Sequence, residues 1–397
     1  MLKFRKVHLC RCLNLTARDK TISLYLHIPF CDKKCYYCDF KSFAKTSEKL
    51  REDYVAALCQ EIENYSSLAE GKEVVTIYFG GGTPSVLSPE RFEKIVLGIK
   101  DNYVLSDELE FTVEVNPESV SLEKVLSYKD MGVNRISIGL QSSDDKLLKE
   151  IGRLHTYEKF LRVYEMFRQN GFDNISVDVI SNLIGQSVDS HRDTLEKIIK
   201  LQPEHVSSYS LMIEEGSMYY SMKKAGKLNY TDDFDRAMYD MTGEMLKKSG
   251  YNHYEISNYC LDDKYSRHNM RYWDLSEYKG FGISASSFVD KKRTKNTLKI
   301  KDYIASRGNV DEISELEYEL DDKLAVEEML FLGLRKLAGI NIEEIYSLLD
   351  DELKKELDEN IAREIKKGYL EFDGKILKLS KKGIDFSNDC FSGLLFD

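Results

Sequence analysis

The chain has 397 residues, 42% of them hydrophobic and 31% charged, with a formal net charge of −11. This is the composition of a soluble globular chain long enough for two domains or one large barrel with an extension, and its acidic balance disfavours a general binder of nucleic-acid phosphates. No apolar run approaches the ~18 residues of a transmembrane helix, and eight cysteines are too sparse for a disulfide scaffold.

Residues 1–20 read as an N-terminal extension. They carry Lys3, Arg5, Lys6, Arg11 and Arg18, with no acid before Asp19 and no apolar core of a secretory signal. Cys10 and Cys12 form an isolated C-x-C without further ligands nearby. The expected location is cytoplasmic, at most peripheral to a membrane, with a mitochondrial presequence as the alternative.

Six apolar, β-branched or aromatic runs follow, at residues 23–28, 74–79, 110–115, 135–140, 175–180 and 205–212. Amphipathic stretches separate them, at 48–68, 89–100, 122–131, 157–170 and 188–201, and another at 233–248 follows the sixth run. Strand–helix alternation predicts an α/β fold in which a parallel sheet is covered by helices, here a partial (β/α)6 barrel. Chemistry in such barrels gathers at the C-terminal ends of the strands. The cysteines Cys31, Cys35 and Cys38 follow the first run, and Gly80-Gly81-Gly82-Thr83 follows the second. Glu114, Gln141, Asp178 and Glu214 stand at the ends of the later ones.

From about Asp321 the texture changes. Residues 324–337, 342–349 and 353–367 read as helices, and 368–374 with 375–379 as a hairpin, giving a C-terminal helical, winged-helix-like domain. Acids dominate much of it, which argues for packing rather than DNA binding. The polar stretch 291–317 holds the boundary. The division expected is an extension (1–20), a barrel with its own extension (21–300) and the C-terminal domain (301–397).

The spacing C-x3-C-x2-C at Cys31, Cys35 and Cys38 supplies three thiolates. A four-iron cluster normally takes four, so three leave one iron open to a small molecule. Zinc is the rival, but structural zinc sites are closed by four ligands.

The run from Tyr25 to Phe40, Y-L-H-I-P-F-C-D-K-K-C-Y-Y-C-D-F, resembles the cluster loop of radical S-adenosylmethionine (SAM) proteins. Within them it is similar to the branch holding oxygen-independent coproporphyrinogen III oxidase and the HemW haem chaperones. The resemblance implies a 4Fe–4S cluster on Cys31, Cys35 and Cys38, whose open iron takes the amino and carboxylate groups of SAM. An electron from the cluster then cleaves SAM to a 5′-deoxyadenosyl radical. It further implies a SAM pocket of Tyr25, Tyr37, Gly81, Gly82, Thr83, Glu114, Gln141, Arg153 and Asp178. An ammonium, a carboxylate and ribose hydroxyls call for such acids, an amide and a guanidinium.

Two features separate the branches. The oxidases carry a fourth cysteine two residues after the third, where this chain has Phe40. Arg267-His268-Asn269-Met-Arg-Tyr272-Trp273 resembles the H-N-x-x-Y-W motif of HemW, as Tyr254-Glu-Ile-Ser-Asn258 and Gly280-Phe-Gly282 resemble its flanks. His268, Asn269, Tyr272 and Trp273 are thus candidates for binding haem, His268 at the iron or orienting the porphyrin and Trp273 against the ring. The chain departs from the family twice. Asn182 and Ile184 replace the Gly and Pro of D-x-I-x-G-x-P-x-Q, predicting a differently shaped turn, and Ser286 stands where HemW usually has His.

The resemblance implies haem chaperoning with the cluster, SAM and haem as cofactors. It implies haem-acceptor proteins, such as membrane-bound respiratory enzymes, as partners, a homodimer as one assembly, and no nucleic acid. Radical decarboxylation of porphyrinogen propionates, in porphyrin biosynthesis, is the alternative, and a scaffold with a structural metal site is the third reading.

Overall fold

Strand β1 (Thr21–Ile28) sends Ile22, Leu24 and Leu26 toward the helices and turns Ser23, Tyr25 and His27 the other way, the period-two alternation of a pleated strand. The computed structural model describes residues 20–396 except 229 and 231–233, so Cys10 and Cys12 lie outside the described residues. The strands β2 (Glu73–Gly81), β3 (Val104–Val115), β4 (Arg135–Gln141), β5 (Ile175–Ser181) and β6 (His205–Ser210) follow. Each of the six pairs parallel with the next. Helices α1 (Glu48–Tyr65), α2 (Pro89–Asn102), α3 (Leu122–Met131), α4 (Tyr157–Gln169), α5 (Val188–Leu201) and α6 (Asp235–Lys248) connect or follow them. Their apolar faces meet the outward strand residues in one large core.

The barrel is open, and its sheet is wider than the six predicted strands. Strands β7 (Asn252–Glu255) and β8 (Asn258–Cys260) continue it antiparallel beyond β6. At the other edge β9 (Tyr278–Phe281) lies parallel to β1, followed by β10 (Ser286–Val289), β11 (Lys292–Asn296) and β12 (Ser314–Glu319), each antiparallel to the last. The order is β12-β11-β10-β9-β1-β2-β3-β4-β5-β6-β8-β7. Glu61 of α1, fully buried, fixes that edge. It accepts from Gly282 N (2.8 Å), Asn296 Nδ2 (2.8 Å) and Tyr303 Oη (2.6 Å), and faces Lys279 Nζ at 3.4 Å.

Helix α7 (Arg267–Trp273) enters the lumen. The N–H groups of Arg267 and His268 donate to the two oxygens of Glu110 at 3.0 and 2.9 Å. A carboxylate at a helix N-terminus is favoured by the exposed N–H groups and the dipole.

The C-terminal unit has its own core, around Leu330, Leu334, Ile345, Leu357 and Leu377. It comprises α8 (Asp322–Gly333), α9 (Asp351–Lys367) and a small sheet of β13 (Ile340–Asn341), β14 (Leu370–Phe372) and β15 (Ile376–Leu379). Its seam with the barrel holds the Arg293–Glu328 ion pair (2.6 Å), a Lys336–Asp274 pair and Arg335 over the Trp273 ring at 4.6 Å. Residues 301–319, grouped with this unit from sequence, pack on the barrel instead. Tyr303 lies in the barrel core, β12 is an edge strand of its sheet, and the second core begins at Val326. Among the described residues no helix is long and apolar enough to cross a membrane.

Candidate functional site

Phe30–Cys31 bridges in parallel to Phe43–Ala44, so the cysteine loop leaves and returns at the C-terminal end of β1. Cys31, Cys35 and Cys38 line one cavity of about 380 Å³. Thr83 Oγ1 donates to Cys31 Sγ at 3.5 Å and Arg153 Nη1 to Cys35 Sγ at 3.6 Å. Burial pushes the Cys31 thiol up and that of Cys38 up to about 12, so a metal must displace their protons to bind. Among the described residues, no three His, Cys, Asp or Glu side chains converge on a single metal position. Three thiols in one cavity match the donor count of a cluster with one open iron, whereas structural zinc sites take four ligands.

The glycine run brings β2 under this loop. Gly82 N donates to Ile28 O (2.9 Å) and Thr83 N to Phe30 O (2.8 Å). A Cβ at Gly82 would lie 2.8 Å from both Ile28 O and Phe30 O, and one at Gly81, where φ is +105°, would lie 2.5 Å from the His27 ring. These glycines thus permit close approach of the protein's own loop, while Gly81 and Gly82 still border the cavity.

Arg153 is buried beneath the cysteines. Its Nη2 donates to Asn116 Oδ1 (2.5 Å) and Gly139 O (2.6 Å), and Asn116 Nδ2 donates to Thr83 Oγ1 (2.8 Å). A continuous chain thus runs from Arg153 through Asn116 and Thr83 to Cys31. A Cβ at Gly139 would sit 2.9 Å from Arg153 Nη2, so a larger residue there must displace the guanidinium. Opposite, Tyr78 Oη donates to Glu114 Oε1 (2.7 Å), and Ser137 Oγ donates to Asp178 (3.0 Å). Burial raises both carboxyls, Glu114 to about 7. Gln141, at φ +71°, and Tyr37 complete the wall. Every residue expected around SAM lines this cavity except Tyr25. Asn116 and Gly139 were missed. Their only signal was position, Asn116 just past the end of β3 and Gly139 two residues before Gln141.

Tyr25 belongs to a second cavity of about 360 Å³, on the far side of Phe40. Its ring stacks near Tyr78 (6.3 Å between centroids) and its hydroxyl meets His27 Nδ1 at 3.1 Å. Tyr272 and Trp273 also line this cavity, but His268 and Asn269 do not. His268 is 1% exposed, with Nδ1 at 2.7 Å from Thr76 Oγ1 and Nε2 at 2.7 Å from Tyr272 Oη. Burial pushes its pKa down to about 3, and its ring stacks on Tyr78 at 5.0 Å. Both nitrogens are thus engaged inside the lumen, by Thr76 and Tyr272. Asn269 gives its backbone N–H to Ser266 Oγ (3.5 Å), as part of the helix cap.

Comparison with known proteins agrees with this geometry. The profile described as "Radical SAM superfamily" matches residues 25–198, and "HemN C-terminal domain" matches 320–386. "Heme chaperone HemW" of Lactococcus lactis is 36% identical over 380 residues, covering 96% of this chain and 98% of that protein. The HemW of Bacillus subtilis is 34% identical, covering 94% and 99%. The chain belongs to the HemW family of radical SAM proteins. Among solved structures, Escherichia coli coproporphyrinogen III oxidase (HemN), described as a radical SAM enzyme, superposes with a TM-score of 0.81 at 21% identity. It covers 95% of this chain and 90% of that one, a likeness of fold.

As a HemW family member the chain carries Phe40, 61% exposed, where the oxidases have their fourth cysteine. Asn182 adopts φ +57°, the left-handed conformation that Asn tolerates and that the family's glycine supplies freely. Ser286, in place of the usual HemW His, lines the second cavity.

Proposed function

We propose that this protein is a haem chaperone. It binds haem, carries a 4Fe–4S cluster on Cys31, Cys35 and Cys38 with SAM beside it, and hands haem to haem-requiring proteins, membrane-bound respiratory enzymes among them. The observation that carries the reading is the near-full-length relationship to HemW, joined to Phe40 in place of a fourth cysteine. When bound, the cluster supplies an electron and SAM the group it reduces; the chain supplies position and shielding. Arg153, held by Asn116 and Gly139, presents positive charge to the SAM carboxylate. Glu114 and Asp178 receive the ammonium and ribose hydroxyls, and Tyr37 covers the cluster. A homodimer and a cytoplasmic location belong to the same reading.

Anaerobic reconstitution followed by haem titration tests it, beside a coproporphyrinogen turnover assay with SAM and reductant. The expected result is iron and sulfide at four each, stoichiometric haem and no decarboxylation. Robust decarboxylation would place the protein with the oxidases, whose case otherwise rests on shared fold.

A further inference from the structure

We infer that the second cavity is the haem seat and that Tyr278 is the axial ligand of the haem iron. The inference rests on the chaperone reading above and locates its cargo.

The cavity's walls are aromatic. Tyr25, Phe40, Tyr272, Trp273 and Tyr278 offer flat faces to a macrocycle. Its charged residues are two cations, Lys41 and Arg293, and no carboxylate lines it. Lys41 is exposed at the rim, with no carboxylate partner among the described residues. A flat apolar ring bearing two propionates complements that surface. The cluster cavity is mixed in sign, since Asp39, Glu114, Asp178 and Glu214 line it beside Lys33, Lys34 and Arg153, so it offers no purely cationic wall to propionates.

The ligand follows from the hydrogen bonds. His27 is the one histidine of the cavity, and both its nitrogens are engaged, by Tyr25 Oη (3.1 Å) and Lys41 O (2.9 Å). Tyr25 and Tyr272 share their hydroxyls with imidazoles that burial keeps neutral. Tyr278 differs, because its Oη accepts from Arg293 Nη1 at 2.9 Å. Arg293 is itself anchored by Glu328 Oε2 at 2.6 Å. The guanidinium favours phenolate, but burial outweighs it and keeps the Tyr278 hydroxyl protonated until iron displaces the proton; tyrosinate is a known haem ligand. On binding, the Oη–H bond breaks, its proton passes to solvent and the Oη–iron bond forms. The iron stays ferric throughout, so no reductant is needed. Phe40, at the open rim, leaves one edge of the ring within reach of an acceptor.

The test is titration of the full-length protein with ferric haem, followed by resonance Raman and electron paramagnetic resonance. Wild type should show a high-spin ferric phenolate signature. Tyr278→Phe should lose it and bind about tenfold more weakly, with the iron–sulfur absorption of wild type as the check on folding. Lys41→Glu, a surface change, should keep the signature while weakening affinity. A Tyr278→Phe protein with wild-type spectrum and affinity removes Tyr278 as ligand. Unchanged binding in both variants places haem elsewhere and leaves the chaperone reading standing. A wild-type chain that binds no haem overturns both.

Discussion

Glu114 gives the cofactor cavity a proton that is held or lost near neutral pH. Burial is the main cause that lifts its carboxyl from 4.5 to about 7; the hydrogen bond from Tyr78 opposes it, and the neighbouring charge of Asp178 adds to it. Between about pH 4.5 and 7 the folded chain keeps this proton while the unfolded chain releases it. Stability therefore falls as pH rises through that window, by about 1.4 kcal/mol per unit. Discounted for water in the cavity, the loss by pH 8 is about 2–3 kcal/mol relative to pH 4. Glu114→Gln keeps a hydrogen-bond acceptor but has no proton to lose. Urea denaturation of cluster-free, SAM-free wild type and variant, at a series of pH values from 4 to 8, isolates the effect. Glu255, which burial also raises to about 7, is common to both proteins and cancels. The variant should gain about 2–3 kcal/mol on wild type across the series. Parallel pH profiles would refute the argument. If the SAM ammonium binds here, its binding below pH 7 should also release a proton, visible as a buffer-dependent heat.

Glu61→Ala should cost about 3–5 kcal/mol in urea denaturation, because it strands the buried Lys279 charge and the donors of Gly282, Asn296 and Tyr303; a loss below about 1 kcal/mol would mean the network is dispensable. Gly139→Ala should weaken SAM binding about tenfold by calorimetry, with the cluster intact, since the new methyl occupies the seat of Arg153. Unchanged affinity would show that Arg153 can move without loss. His268→Ala should destabilise the chain by about 2–4 kcal/mol and leave the haem spectrum unaltered; loss of that spectrum in a folded variant would return the iron to His268.

What the sequence made legible was local and periodic. The six barrel strands follow from short apolar, β-branched or aromatic runs, and α3 and α5 fall on the expected residues because their apolar stripes and Ser caps are continuous in sequence. The cluster cavity was legible because its polar groups stand at strand ends, which a parallel sheet gathers on one rim. What was not legible depends on distant partners. Helix α7 is seven residues with no apolar stripe, held by bonds to Glu110 and Thr76 that span 158 and 192 residues. Nothing local distinguishes a histidine buried by such contacts from one facing a cofactor. The strands β7 to β12 are three to six residues each, too short for a period to emerge.

Phe40 has a consequence beyond replacing a cysteine. It borders both cavities, so their contents share a wall. Two ligands that each bias one side chain are thermodynamically linked. If SAM changes the affinity for haem by some factor, haem changes the affinity for SAM by the same factor. Were haem in one cavity and SAM in the other, each biasing this ring, cargo loading and cofactor occupancy would be one equilibrium.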